Sequence, residues 1–135
     1  MELVKIRLKE TKDEAFIYNS WLKSNRAQHA NMPNGDYFEH YKAIIADVLY
    51  KSIVAIACDP NDPEFIYGYL VIRPIDDVNI IHYAYIKKPF RRFGILKQLA
   101  KSQNLNLNEP ILITCKAPEY FKKYTLVYRP DLKKL

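Results

Sequence analysis

The residues best placed to do chemistry lie in one run, Tyr85-Ile86-Lys87-Lys88-Pro89-Phe90-Arg91-Arg92-Phe93-Gly94-Ile95-Leu96-Lys97-Gln98-Leu99. A β-rich segment enters a basic loop, and the loop opens a helical pattern with a glycine in its first turn. Backbone amides at a helix start point outward, and the helix dipole favours an anion there. Gly94 has no side chain, so a ligand can approach its backbone closely. Arginines beside it add charge-assisted hydrogen bonds to phosphate oxygens. The chemistry this implies is the binding of a pyrophosphate.

The elements around this run follow from periodicity. Residues 3–8 alternate apolar and polar, which predicts a half-buried strand. Thr11-Lys12-Asp13-Glu14 fits a capping box, and Ala15, Tyr18, Trp21 and Leu22 follow at helical spacing, predicting a helix over about 12–24. Residues 24–36 have a loop composition, and a second helical stripe runs over about 36–50. Strands are predicted over 52–58, 65–73 and 78–86, separated by Asp59–Pro63 and by a turn at 74–77. A helix over about 92–103, a buried strand over 111–115, a short helix over 118–123 and a closing strand over 125–128 complete the order. The expected fold class is α/β (α+β) in a single domain over 1–135: a mixed, mostly antiparallel sheet flanked by helices. Strand 110–115 is expected parallel to strand 78–86.

Composition narrows the functions. The chain has 135 residues, 49% hydrophobic and 27% charged, ordinary for a globular domain and unlike a disordered one. No apolar stretch approaches the roughly 18 residues of a membrane span, and the mixed-charge N-terminus does not read as a secretory signal. Cys58 and Cys115 share no metal or redox spacing, and no metal site is expected. A cytoplasmic, reduced protein follows. The net charge of +6 lies wholly in residues 61–135, which hold thirteen basic against seven acidic residues. Six basic and no acidic residues fall within 87–101, a block that points to an anionic partner.

Arg91-Arg92-Phe93-Gly94-Ile95-Leu96, with Pro89 before it and Leu99 after it, resembles the acyl-CoA-binding segment of the GNAT (N-acetyltransferase) superfamily, Arg/Gln-x-x-Gly-x-Gly/Ala after the fourth strand. The element order is similar to that of the family over nearly the whole chain. Leu96 departs from the family's small residue. The resemblance implies an acyl-CoA-dependent N-acyltransferase, with acetyl-CoA as co-substrate and an amine acceptor of unknown identity. It implies that Arg91, Arg92, Phe93, Gly94, Ile95 and Leu96 hold the pyrophosphate, and that the pantetheine arm bonds to backbone at Ala84, Tyr85 and Ile86. It places a tyrosine acid after the fifth strand; Phe121 stands in register there, so Tyr120 or Tyr124 takes the role, or neither does. His82 lies beside the expected acyl position with a pKa suited to a base, although strand parity groups it with Ile80, Ala84 and Ile86. The loop after the first helix shapes the acceptor pocket in this fold, which makes Trp21, Arg26, His29 and Asn31 the expected acceptor contacts; the alternative is a core tryptophan and a solvated loop. Two further readings keep the fold. In one the acceptor is nucleic acid, tracked by Lys116, Lys122, Lys123, Arg129, Lys133 and Lys134 in a phage or mobile-element protein. In the other the protein is non-catalytic. A monomer or a homodimer fits either.

Overall fold

The computed structural model describes residues 3–118 and 121–134. Strands β1 (Lys5–Leu8), β2 (Ile53–Cys58), β3 (Ile66–Ile75), β4 (Val78–Ile86), β5 (Ile111–Ile113) and β6 (Leu126–Tyr128) form one sheet in that order. The first four are antiparallel neighbours, β4 and β5 are parallel, and β6 is parallel to β5. Helices α1 (Glu14–Arg26) and α2 (Asn34–Lys51) cover one face, and α3 (Ile95–Ser102) covers the other.

The near-continuous apolar runs of β2 and β3 follow from this layering, because a strand covered on both faces buries both sets of alternate residues. Val54, Ile56, Tyr69 and Val71 pack toward Ile17, Trp21, Tyr37 and Ile45. Ala55, Leu70 and Ile72 pack toward Leu96 and Leu99. Each fully buried aliphatic side chain contributes about 1.5–3 kcal/mol. Gly68 allows β3 to pass close to β4: a Cβ there would sit 2.7 Å from Ile86 Cδ1 and against the Tyr85 carbonyl oxygen.

Several boundaries differ from expectation for local reasons. The capping box before α1 is made by Glu10 and Asp13 instead of Thr11 and Glu14, with the Glu10 N–H donating to Asp13 Oδ2 at 2.8 Å. Strand β3 continues through Pro74 and Ile75, and the hairpin turns on Asp76 and Asp77 at φ 49° and 66°. Two successive positive φ angles match the right-handed twist of the flanking strands. Helix α3 begins at Ile95, three residues later than expected, because Arg92 and Gly94 are left-handed at φ 71° and 75°. Strand β5 ends at Ile113, after which the chain leaves the sheet. Of the short helix expected over 118–123, Glu119 and Tyr120 lie outside the described residues. Around them the Phe121 N–H donates to Pro118 O and the Tyr124 N–H to Phe121 O, the spacing of tight turns.

Candidate active site

The basic loop folds into a cradle lined by cations. Pro89 sits in a tight turn over Lys88–Phe90, after which Arg91 is extended. Arg91 Nε donates to the Ile86 carbonyl at 2.8 Å and ties the loop to the end of β4. Left-handed Arg92 and Gly94 flank Phe93, and Gly94 caps α3, accepting the Gln98 N–H at 3.1 Å. A Cβ built on Gly94 would meet nothing within 4 Å, so the space above the first amides of α3 is open. It opens into a groove of about 690 Å³ ringed by Lys88, Arg91, Arg92, Lys97 and Lys123. No carboxylate lines the groove among the described residues. The first amides of any helix lack intrahelical partners, and here they face a ring of cations. The Leu96 side chain turns into the core and is only 8% exposed, so its bulk lies largely beneath the groove. Phe93 is 70% exposed.

Next to the cradle the sheet splits. Strands β4 and β5 pair only at Ile81 and Ile113, with the Thr114 N–H donating to Ile81 O at 3.0 Å. Ala84, Tyr85 and Ile86 lie beyond this last rung, where a ligand can run along the edge of β4. Strand β4 also carries a bulge: Val71 pairs with Tyr83 but Ile72 pairs with Ile81, leaving His82 as the extra residue. The bulge breaks the parity that grouped His82 with Ile80, Ala84 and Ile86, and it puts Ile81 and Ala84 in one core cluster.

A small pocket of about 20 Å³, room for one water, lies in the split among Ile81, His82, Ala84, Ile113, Cys115 and Phe121. On the opposite face a cavity of about 260 Å³ is lined by Ser24, Asn25, Gln28, Tyr83, Tyr85 and Lys116. Tyr83, Cys115 and Lys116 line both, so the two spaces adjoin at the opening in the sheet.

His82 is 1% exposed, with Nδ1 2.8 Å from the hydroxyl of buried Thr114. Burial pushes its pKa down to about 4, assisted by the charges of Lys133, Arg73 and Lys51. It is therefore neutral at pH 7, with one ring nitrogen a donor and the other an acceptor. A histidine held neutral in the fold resists protonation that the unfolded chain accepts. The stabilisation is complete above about pH 6.5 and declines as the pH falls toward 4. The loss by pH 4 is expected to be on the order of 2 kcal/mol. Urea midpoints measured across that window should fall with acid in the wild type and change less in His82→Gln. Burial likewise raises the Cys115 thiol pKa, so it stands as a thiol at neutral pH.

The four expected acceptor contacts do not line the cavity. Trp21 is 3% exposed and stacks on Tyr83 at 4.4 Å. Arg26 ties the loop together, donating to the carbonyls of His29 and Met32 and to Asn34 Oδ1, 4.6 Å above the Tyr37 ring. His29 lies 3.2 Å from the Tyr41 hydroxyl, and Asn31 is exposed. The cavity takes Ser24, Asn25 and Gln28 instead, because α1 runs two residues beyond its expected end and continues in a tight turn over Ala27–His29. Tyr124 lines the cradle groove alongside Lys97 and packs edge-on against Phe121 at 5.8 Å. Phe121, not Tyr124, lines the small pocket beside His82. Of the basic residues near the C-terminus, Arg129 pairs with Asp131 at 2.8 Å.

Among the described residues no group of His, Cys, Asp or Glu is arranged to hold a metal ion, and no helix is long and apolar enough to cross a membrane.

No protein-family model matches the chain, and no curated protein matches it in sequence. Solved structures do match its fold. A ribosomal-protein-alanine N-acetyltransferase from Brucella melitensis biovar Abortus 2308 superposes with a TM-score of 0.55 at 17% identity, over 90% of this chain and 87% of that one. The paiA N-acetyltransferase from Thermoplasma acidophilum, solved in complex with coenzyme A, gives 0.52 at 14% identity, over 76% and 70%. The chain has the GNAT acyltransferase fold. The mixed sheet with one parallel β4–β5 pair splayed beside a helix start is the part of that fold that frames the site.

Proposed function

We propose that this protein is a divergent GNAT acyltransferase that moves an acetyl group from acetyl-CoA to an amine. The observation that carries the reading is the continuity of the site: a cation-ringed helix start, open above Gly94, lies beside a split between β4 and β5 that adjoins a second cavity on the far face. These residues fit the group. The α3 amides and the cations at 91, 92 and 97 hold a diphosphate, and the edge of β4 over 84–86 offers peptide groups to an extended amide-bearing arm. Acetyl-CoA supplies an activated thioester. Neutral His82, at the floor of the split, is placed to accept the amine's proton. A pKa of about 4 makes it a weak base at pH 7, so it holds that proton only in passing.

Titration with acetyl-CoA tests the reading, since a ligand that binds only the folded state raises the melting temperature by mass action. Absence of both heat and melting shift at millimolar acetyl-CoA would sink it. The position of Tyr124 makes a narrower expectation. In the groove beside Lys97, its hydroxyl serves the bound co-substrate. Tyr124→Phe should therefore raise the KM for acetyl-CoA several-fold and leave kcat nearly unchanged. A fall in kcat of about a hundred-fold at saturation would instead make Tyr124 the proton donor to the leaving thiolate.

A further inference from the structure

The cavity on the α1 face has one sign of charge. Among its described lining residues Lys116 and Arg91 are cationic and none is a carboxylate, and the pocket beside it in the sheet has Lys116 and no carboxylate. The charge of Lys133, in the C-terminal turn Pro130–Lys134, is felt at Cys115, which lines both spaces. Burial first and then these cations lower the pKa of His29, where Lys133, Arg26, His40 and Lys116 all act in one direction. Lys133 also acts on His82. At about 260 Å³ the cavity is below the roughly 300–1,000 Å³ of drug-sized sites and suits a small molecule. Its neutral polar lining, Ser24, Asn25 and Gln28, supplies hydrogen bonds and no counter-charge for an ammonium.

A field of this kind selects. It rejects an acceptor with a second ammonium by like-charge repulsion, and it favours the neutral, nucleophilic form of the reacting amine. An anionic group on the acceptor gains a charge-assisted contact. We propose that the acceptor is a small primary amine carrying its own anionic group, carboxylate or phosphate-like, and that Lys116 and Lys133 read that group. The proposal rests on the acyl-transfer reading of the site. In the reaction the amine nitrogen bonds to the acetyl carbon as the carbon–sulfur bond of acetyl-CoA breaks. The nitrogen gives up one proton, and the departing thiolate takes one up.

The test uses the full chain and three amines of similar length: 2-aminoethylphosphonate, β-alanine and 1,3-diaminopropane. Each is titrated calorimetrically with and without saturating CoA, and each is offered with acetyl-CoA while product is followed by mass spectrometry. One of the two anionic amines should bind, and be acetylated, at least ten-fold better than the diamine, and which of them leads assigns phosphonate or carboxylate. Lys116→Gln, an exposed substitution, should remove most of that preference through the acceptor KM and leave acetyl-CoA affinity intact; Lys116→Arg should retain it. Equal or better binding of the diamine, no binding of either anionic amine, or a preference untouched in both Lys116→Gln and Lys133→Gln overturns the proposal. A chain that fails to bind acetyl-CoA overturns the acyl-transfer reading instead, and the titrations without CoA still decide the anion preference.

Discussion

Gly94→Glu is expected to weaken acetyl-CoA binding at least a hundred-fold, about 2.7 kcal/mol, while the chain still folds. At φ 75° the position lies in the left-handed region, where any side chain costs roughly 1 kcal/mol of folding stability, a cost carried with and without ligand. The cause of the weaker binding is charge. A Cβ at Gly94 meets nothing within 4 Å, so the new side chain enters the groove without clashing with protein. Its carboxylate then stands among Lys88, Arg91, Arg92 and Lys97, in the place the diphosphate would take. Internal neutralisation of the cradle favours the folded protein and competes with the ligand. Arg92, already at φ 71°, shows that this loop accepts a non-glycine residue in the same conformation. Gly94→Ala separates the two effects, since it carries the strain without the charge and should weaken binding far less than glutamate does. Calorimetric titration of acetyl-CoA into the three proteins gives the answer. Equal affinity for wild type and Gly94→Glu would remove the phosphate site from the α3 N-terminus.

The basic loop running from β4 into a helix was legible in the sequence because its determinants are contiguous. One glycine, a proline and a block of cations between a strand and a helical stripe leave little choice of geometry. The parallel β4–β5 pair was legible for a similar reason, since a strand–helix–strand run of this length folds back only one way. The chemistry in the split was not, because it depends on a bulge. Inserting His82 opposite a single step of β3 changes which face each later residue takes, and no residue type announces it. The lining of the cavity on the α1 face was missed through a helix end: the loop composition from Ser24 onward hid two more helical residues and a tight turn, which carry Asn25 and Gln28 to that cavity. The charge of Lys133 acts on Cys115 and His82 only through the tertiary fold of the C-terminal turn. The turn read at 74–77 is present, but its narrowing to Asp76 and Asp77 at positive φ was hidden, because two aspartates replace the usual Asn-Gly pair.

Asp13→Asn is expected to cost about 3–5 kcal/mol of stability, the penalty for leaving a buried charge without its partner. Arg7 and Asp13 form a two-pronged pair, Nη1 to Oδ2 at 2.7 Å and Nη2 to Oδ1 at 2.9 Å. Their side chains are 11% and 3% exposed. The same carboxylate accepts the Glu10 N–H before α1, and Arg7 Nη2 also donates to the Pro63 carbonyl at 2.8 Å. One pair thus fastens the start of α1 to β1 and to the β2–β3 loop. Asparagine keeps the shape but loses the charge, and Arg7, whose Nε already lacks a partner, stays buried as an uncompensated cation. For a domain of this size the loss corresponds to a drop of roughly 10 °C or more in melting temperature. Arg7→Met in the Asp13→Asn background removes the stranded charge and should recover part of that drop, which separates the pair's geometry from the cost of burying one ion. The pH dependence gives an independent reading. Burial alone would raise the Asp13 pKa, but the hydrogen bonds from Arg7 and the Glu10 amide outweigh it and hold the carboxyl below its usual range. Its contribution is complete above the unfolded value near 3.9 and is lost as the pH falls through the lower folded value. Stability curves of wild type and Asp13→Asn should therefore run parallel above about pH 5 and converge below pH 4. A constant gap down to pH 2 would mean that the ionised carboxylate of Asp13 does not hold this corner of the fold.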